Sequence, residues 1–153
     1  RPVRDADAQD LIGPITLCFA EYPGCYFDPH ADMPDIVRPA QSRLAREGLF
    51  LVAEDERGRA CACAGVDFPA AGVAEIHRLY VRPDFRGRGL AKLLTRRLED
   101  HARDGGASRM ILWSDTRFTN AHRLYLSLGY RQGHTRSLGD ISHSREFFFD
   151  RAL

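Results

Sequence analysis

The chain has 153 residues, 44% of them hydrophobic and 28% charged, which is typical of one water-soluble globular domain. Its formal net charge of +1 gives no overall field that would attract nucleic acid or an acidic membrane surface, so we expect neither as a partner. There is no apolar run of transmembrane length and no signal peptide pattern, which favours a cytoplasmic location.

The cysteines and histidines give no sign of a disulfide or a metal site. Cys61 and Cys63 are two apart in an apolar run, where alternate side chains point to opposite faces of a strand. We expect all four cysteines to be thiols in a reducing compartment. None of the six histidines stands in an H-x-x-x-H pattern, so no bound metal is expected.

The N-terminal third is predicted to be mainly helical. Residues 3–4 suggest a short first strand, and a helix is expected over residues 7–21. Pro14 falls inside that helix and predicts a kink or two short pieces. A loop rich in Pro, Gly and aromatic residues covers 22–33, and a second helix is expected over residues 35–46.

Three strands are predicted in the middle of the chain, at residues 49–53, 60–67 and 73–81. A turn at 55–58 makes the first two a hairpin, and a turn at 69–72 leads into the third.

The strand over residues 73–81 changes its pattern part-way. Ile76 is an inward-facing candidate, whereas Leu79 and Val81 resume the alternation on the opposite parity. A β-bulge near Arg78 would cause this slip and would leave a backbone N–H without a ladder partner, close to Glu75. The alternative is a strand buried on both faces, which needs no strict alternation.

The C-terminal half continues with helices and strands in turn. A leucine stripe predicts an amphipathic helix after Gly89 that stops at the glycines 105–106. An apolar strand follows at 110–113, and Thr119 or Asn120 is expected to cap a helix that ends before Gly129. The last two strands are predicted at residues 130–136 and 146–150.

This order of elements predicts one α+β domain over residues 1–153. A mixed central sheet of about seven strands, with helices on both faces, would contain at least one parallel pair around the leucine-striped helix. The predicted β-bulge lies in the fourth strand.

A glycine-rich stretch, Arg-Gly-Arg-Gly-Leu-Ala at residues 86–91, joins the bulged strand to the leucine-striped helix. The start of a helix presents unpaired backbone N–H groups, and the helix dipole adds partial positive charge there. The stretch lacks the Walker pattern and the dinucleotide fingerprint, but it fits Gln/Arg-x-x-Gly-x-Gly/Ala at every position. Taken alone, it is either an anion-binding loop or a tight surface turn.

Three blocks, at residues 75–91, 110–113 and 120–130, resemble the GNAT superfamily of acyl-CoA-dependent N-acetyltransferases. The last block is similar to the family's N-x-x-A-x-x-L-Y-x-x-x-G-F ending, although Asn120 and Ala121 are adjacent here. The predicted order of elements agrees with that fold, and the acceptor-side segment 5–48 matches only in layout.

The resemblance implies acetyl-CoA as the co-substrate and no metal. The glycine loop would hold the pyrophosphate, the third central strand would pair with the pantetheine arm, and the bulge N–H would polarise the thioester carbonyl. The implied coenzyme contacts are Leu79, Tyr80, Val81, Arg86, Gly87, Arg88, Gly89, Leu90, Ala91, Asn120 and Arg123.

The same resemblance implies two catalytic residues. Tyr125 would give a proton to the leaving thiolate, although its helical spacing also suits a core tyrosine. Glu75 is the candidate base for the amine, directly or through water, and its alternative is a surface carboxylate. His77 is a second candidate base because its ordinary pKa suits the role.

The loop over residues 22–33 would border the acceptor pocket in this family, and its aromatic and acidic residues suit a small cationic amine. We name Tyr22, Tyr26, Asp28 and His77 as candidate acceptor contacts; an ordinary ordered loop is the alternative. The expected function is direct transfer of acetyl from acetyl-CoA to a primary amine of a small molecule or peptide. The alternative is a non-catalytic coenzyme A sensor, and a homodimer is possible because dimers are common in the family.

Overall fold

The computed structural model describes residues 1–44 and 48–153, and these form a mixed sheet with helices on both faces. The described strands are β1 Leu49–Glu54, β2 Ala60–Ala70, β3 Val73–Val81, β4 Arg109–Asp115, β5 Arg131–Ser137 and β6 Arg145–Ala152. Their order in the sheet is β1-β2-β3-β4-β6-β5, and β3 and β4 are the parallel pair.

Five α-helices are described. They are α1 Ala8–Ala20, α2 Pro29–Asp32, α3 Pro39–Leu44, α4 Leu90–Asp104 and α5 Thr119–Ser127. Short 3₁₀ turns precede α1 and α3 and follow β3. Helix α4 connects the parallel strands β3 and β4, as expected for a crossover.

The α+β prediction is confirmed, with differences near the N-terminus. The predicted first strand does not form, since Pro2 makes only an isolated bridge to Leu51. Helix α1 runs continuously through Pro14 instead of breaking into two pieces. The helix predicted over 35–46 is divided, because Pro39 disfavours helical backbone at the residue before it. Its last two residues lie outside the described part of the chain.

Two apolar cores hold the helices to the sheet. On one face, Leu94 and Leu98 of α4 pack among buried residues of β2, β3 and β4. On the other face, Leu11 and Ile15 of α1 pack against β1 and β2. The leucine stripe of α4 is therefore its buried side, as its spacing predicts.

The predicted register slip is present as a β-bulge in β3. Tyr80 pairs with Cys63 and His77 pairs with Gly65, so two residues of β3 lie opposite one residue of β2. Arg78, at the bulge, has a φ of 57°, which is uncommon for a residue with a side chain.

The bulge changes which side chains face each core. Ile76 packs in the core beneath α4, and Leu79 and Val81 return to that same core on the opposite parity. Tyr80 consequently packs against the α1 core. The bulge is in the third strand and not the fourth, because the predicted first strand is missing.

Candidate active site

The strands β3 and β4 separate where their ladder ends, and this opening is the centre of the candidate site. The parallel ladder ends at Ile76 and Leu112, although β3 continues to Val81 and β4 to Asp115. The edge of residues 79–81 that faces β4 is therefore open. Its backbone N–H and C=O groups can pair with an extended ligand, as an added strand would.

A cleft of about 410 Å³ lies beside this opening, at the start of α4. We refer to it as the glycine cleft. It is lined by nine of the predicted coenzyme contacts, namely Leu79, Tyr80, Val81, Arg86, Gly87, Gly89, Leu90, Ala91 and Asn120. The side chains of Arg88 and Arg123 are not part of this lining.

The glycine loop has the backbone shape that an anion cradle needs. Gly87 and Gly89 have φ values of 74° and 79°, in the left-handed region that favours glycine. Gly89 is the N-cap of α4, so the first N–H groups of that helix are presented at the cleft. A Cβ built at either glycine meets no atom within 4 Å. The glycines are thus required by backbone conformation and not by internal packing.

Arg86 lies across the open edge of β3. Its Nε donates to Val81 O at 3.2 Å, and its two other nitrogens donate to Glu21 Oε2 at 2.7 Å and Cys18 Sγ at 3.3 Å. A phosphate at the loop would have to compete with the Glu21 carboxylate for this guanidinium. Nearby, Arg88 stacks over the Phe85 ring at 4.5 Å.

A second cleft, of about 320 Å³, lies on the other side of the opening. We refer to it as the acidic cleft, because five carboxylates and two guanidinium groups line it among the described residues. The carboxylates are Asp32, Glu75, Asp115, Asp140 and Glu146. The two clefts share Leu79, Tyr80, Phe118 and Ala121, so they meet at the bulge.

Glu75 and His77 are neighbours in the acidic cleft. Glu75 Oε1 lies 3.9 Å from His77 Nε2, which lies 3.6 Å from Asp67 Oδ2. Burial raises the pKa of Glu75; Arg136 lowers it in part, and the carboxylates of Asp67 and Glu146 raise it further. The raised pKa makes the ionised Glu75 carboxylate a stronger base than an ordinary exposed glutamate.

Tyr125 lines the acidic cleft from α5, although its side chain is largely buried in the core. Its ring packs against Phe149 at 5.3 Å and Tyr130 at 6.0 Å. Burial raises the pKa of Tyr125, so its hydroxyl keeps its proton at neutral pH. A protonated phenol can act as an acid, and both the core position and the catalytic role that we predicted are therefore compatible.

The predicted acceptor contacts are divided between the clefts. Tyr26 and His77 line the acidic cleft, whereas Tyr22 lines the glycine cleft and packs against Phe118 at 4.8 Å. Asp28 lies outside both linings, because its carboxylate caps α2 by accepting from the His30 and Ala31 backbone N–H groups.

Several cleft residues were missed from the sequence. Trp113 and Asp115 come from the carboxyl end of β4, Phe118 from the turn before α5, and Arg136 and Asp140 from the region of β5. Residues at the carboxyl end of a parallel strand often form sites, and this signal could have indicated Asp115. The N-caps predicted for α5 were wrong: the helix begins at Thr119 after Phe118, with no side-chain cap.

No disulfide joins the cysteines. In residues 1–44 and 48–153, no group of three His, Cys, Asp or Glu side chains has an arrangement suited to a metal ion. No described helix combines the length and apolarity that crossing a bilayer requires.

A family model described as "Acetyltransferase (GNAT) family" matches residues 15–130, which include the bulged strand, the glycine loop and Tyr125. The chain belongs to the GNAT family of acetyltransferases. The resemblance of the glycine loop and its flanking blocks to this family is thereby confirmed.

Curated relatives carry N-acetyltransferase names. An uncharacterized N-acetyltransferase of Schizosaccharomyces pombe is 36% identical over 98 residues, covering 63% of this chain and 60% of the relative. The aminoalkylphosphonate N-acetyltransferase of Salmonella typhimurium is 38% identical over 64 residues, covering 42% of each chain. The chain therefore spans about three fifths or less of the lengths of these relatives.

Solved GNAT structures have the same fold along the whole chain. A GNAT acetyltransferase of Staphylococcus aureus superposes with a TM-score of 0.85 at 16% identity, covering 100% of this chain and 97% of that one. The phosphinothricin acetyltransferase of Sinorhizobium meliloti, solved with acetyl-CoA, gives 0.77 at 19% identity, covering 100% and 86%. At these low sequence identities, the superpositions show a shared fold alone.

Proposed function

We propose that this chain, as a single acetyltransferase domain, transfers acetyl from acetyl-CoA directly to a primary amine of a small molecule or peptide. The observation that carries the proposal is the junction of two clefts at the bulge in β3, one at the glycine loop and the start of α4 and one rich in carboxylates. Acetyl-CoA, when bound, supplies a thioester carbonyl that an amine can attack. Membership in the family and the names of the relatives support this reaction class.

In this proposal the glycine cleft holds the coenzyme mainly through backbone groups. The loop at Gly87 and Gly89 and the first N–H groups of α4 receive the pyrophosphate, with Arg86 and Arg88 adding positive charge. The open edge of residues 79–81 pairs with the amide-bearing arm. Leu90 and Ala91 are the first residues of α4 at this cleft, and Asn120 and Arg123 contact the coenzyme from α5.

The chemical roles follow from the acidic cleft. An alkyl ammonium has a pKa near 10 and no lone pair, so a base must accept its proton. We assign this to the Glu75 carboxylate, with His77 or a water as the alternative base. A backbone N–H of the bulge donates to the reacting carbonyl oxygen, and Tyr125 Oη gives its proton to the leaving sulfur.

The charge of the acidic cleft favours a cationic acceptor. Both of its guanidinium groups are already paired, Arg78 with Asp35 at 2.8 Å and Arg136 with Glu146 at 2.7 Å. Tyr26, which is exposed, adds aromatic surface that can contact a cation. An anionic amine, such as the aminoalkylphosphonate in the name of one relative, would meet an excess of like charge here.

Two measurements test the proposal. Native mass spectrometry of the purified protein should show a copurifying mass of coenzyme A or acetyl-CoA. A panel of amines, including aliphatic mono- and diamines, benzylamine, tyramine and lysine-containing peptides, should then give thiol release from acetyl-CoA. Binding of acetyl-CoA without thiol release from any amine would favour the non-catalytic sensor instead, and no binding would overturn both.

A further inference from the structure

Two loops form the outer wall of the acidic cleft. The 22–28 loop contributes Tyr26, and the 138–144 loop contributes Leu138 and Asp140. These segments are more than a hundred residues apart and, apart from their own turns, contain no regular secondary structure. Such loops need specific anchors if the cleft is to keep one shape, because irregular surface segments are otherwise the most mobile parts of a protein.

Arg117, in the turn after β4, contacts both loops. Its Nη1 donates to Gly24 O at 3.0 Å and to Ser142 O at 3.4 Å. Its Nη2 donates to Ser144 Oγ at 3.2 Å. One guanidinium thus joins the backbone of the 22–28 loop to the 138–144 loop.

Asp115 fixes the guanidinium itself at the end of β4. Arg117 Nε and Nη2 donate to the two Asp115 oxygens at 2.9 and 2.6 Å, and the Arg117 backbone N–H donates to Oδ1 at 2.9 Å. Asp115 is buried and lies on a strand, so it provides a rigid base for the anchor. A planar guanidinium has five donors in a fixed fork, which suits simultaneous contacts to three elements.

A separate hydrogen-bonded link joins the two loops directly. The Ser142 hydroxyl accepts from the Tyr26 backbone N–H at 2.9 Å and donates to Tyr26 O at 3.3 Å. Within the 138–144 loop, the Ser144 N–H donates to Asp140 Oδ1 at 2.7 Å. The positions of Tyr26 and Asp140 at the cleft therefore depend on the same small set of bonds.

We propose that Arg117 is a positioning residue for acceptor recognition: anchored by Asp115, it holds the 22–28 and 138–144 loops in the shape that forms the acidic cleft. This inference rests on the proposed function, in which that cleft receives the amine. Arg117 does not contact the glycine cleft, so its effect should fall on the acceptor and not on acetyl-CoA.

The first test is amide hydrogen exchange on the whole protein with Arg117→Gln and Arg117→Lys. Both variants should raise exchange in residues 22–28 and 138–144 together by about tenfold or more, since several charge-assisted hydrogen bonds are lost. Arg103→Gln, which removes an exposed ion pair with Asp100 on α4, is the matched control and should leave both loops unchanged. Faster exchange at the 115–119 turn alone would overturn the inference.

The second test separates positioning from a general loss of structure. For the panel amine with the highest kcat/KM, Arg117→Lys should raise the amine KM about tenfold, with kcat and the acetyl-CoA Kd within about threefold. If Arg117→Lys has the same hydrogen exchange and amine KM as the wild type, then only the positive charge at position 117 matters, and the inference is overturned. So would a rise in the acetyl-CoA Kd without a rise in the amine KM, although the proposed function would then stand.

A second variant keeps the test decisive if the Arg117 variants fold poorly. Ser142→Ala removes the direct link between the loops and leaves Arg117 in place. It should loosen both loops by a smaller factor than Arg117→Gln and raise the same KM. The exchange measurement needs no amine, so it tests the anchoring separately from the proposed function. Unchanged exchange in Ser142→Ala would contradict the joined-loop arrangement.

Discussion

The two clefts that meet at the bulge in β3 are built in different ways. Most of the glycine cleft is formed by one continuous stretch of chain, from the end of β3 through the loop to the start of α4, and Cys18, Tyr22 and residues of α5 complete it. The acidic cleft takes side chains from four strands, three helices and two loops, namely β3, β4, β5, β6, α1, α2, α5 and the 22–28 and 138–144 loops. The polar groups of the glycine cleft are therefore largely backbone groups of the loop, the α4 start and the strand edge among apolar side chains, whereas the acidic cleft offers side-chain carboxylates.

This difference has a consequence for specificity. Backbone N–H groups at a helix start and along a strand edge suit the phosphates and amides of the proposed coenzyme. Carboxylates and aromatic rings on separate loops can change without disturbing the sheet. We therefore expect substitutions in the first cleft to affect coenzyme binding, and substitutions in the second to affect the acceptor and the proton transfers.

The largest effect should come from a side chain placed in the glycine loop. Gly89→Val should raise the acetyl-CoA Kd by about 10³-fold, because more than one charge-assisted hydrogen bond to the pyrophosphate would be lost. Isothermal titration calorimetry measures this change. Part of the cost to the fold is expected from φ alone, about 1–2 kcal/mol for a side chain in the left-handed region.

Gly58→Val is the matched control for Gly89→Val. Gly58 has a φ of 74°, and a Cβ built there also meets nothing within 4 Å, but it lies in the β1–β2 turn. The free energy of unfolding should fall by a similar amount in both variants, and only Gly89→Val should weaken acetyl-CoA binding. Equal acetyl-CoA affinity in the two variants would mean that the loop is a turn without a binding role.

Tyr125→Phe should have the next largest effect, on turnover. The ring stays packed against Phe149 while the hydroxyl is lost, so kcat should fall about 10²-fold with little change in melting temperature or acetyl-CoA Kd. Tyr130→Phe is the contrasting control, because the Tyr130 hydroxyl donates to buried Glu99 at 2.9 Å. It should lower stability and leave kcat near wild type; an unchanged kcat in Tyr125→Phe would remove that residue from the mechanism.

The glycine cleft could be predicted from the sequence more fully than the acidic cleft, because more of it comes from one stretch of chain. Gly87, Gly89 and the opposite parities of Ile76 and Leu79 are local signals, so the loop, the bulge and the helix start could all be predicted. Arg117 carries no local signal, since its partners on two distant loops are set by the tertiary fold.

The short elements show the same limit. The strand predicted at residues 3–4 has too few residues to pair beyond one bridge. The break into two pieces that Pro14 could cause does not occur in α1, whose Leu11 and Ile15 pack into the core. The acidic character of the second cleft likewise depends on residues from many elements. Only part of it, Glu75 and the aromatic loop residues, could be inferred before the fold was known.

Glu75→Gln should lower kcat/KM by about tenfold. This effect is smaller than the previous two because His77 or water can partly replace the base. The carboxyl must be ionised to accept a proton, so the rate should fall as pH drops through the Glu75 pKa. Because burial raises that pKa, the acid limb of the pH profile should lie above the ordinary range of a glutamate. The pH dependence of kcat/KM measures this limb.

Two further variants sharpen the assignment of the base. Glu75→Gln should abolish the acid limb that the wild type shows, whereas His77→Gln should retain it. Arg136→Gln should move the limb to higher pH, because Arg136 is the group that lowers the Glu75 pKa. A limb that survives in Glu75→Gln and disappears in His77→Gln would assign the base to His77.

The smallest effect concerns acceptor charge and tests whether the second cleft is acidic in function as well as in composition. Pentane-1,5-diamine, pentylamine and 5-aminopentanoic acid each carry a primary amine at one end of a five-carbon chain and differ at the far end, where the diamine has a second equivalent amine that doubles its statistical weight. The kcat/KM should fall in that order by about fivefold at each step, since each exposed charge contact contributes about 0.2–1 kcal/mol. Asp140→Asn should flatten the series and leave pentylamine unchanged, because the amide oxygen can still accept from the Ser144 N–H while a negative charge is removed from the lining of the acidic cleft. Equal rates for all three amines would show that the two clefts differ in construction but not in the charge that they select.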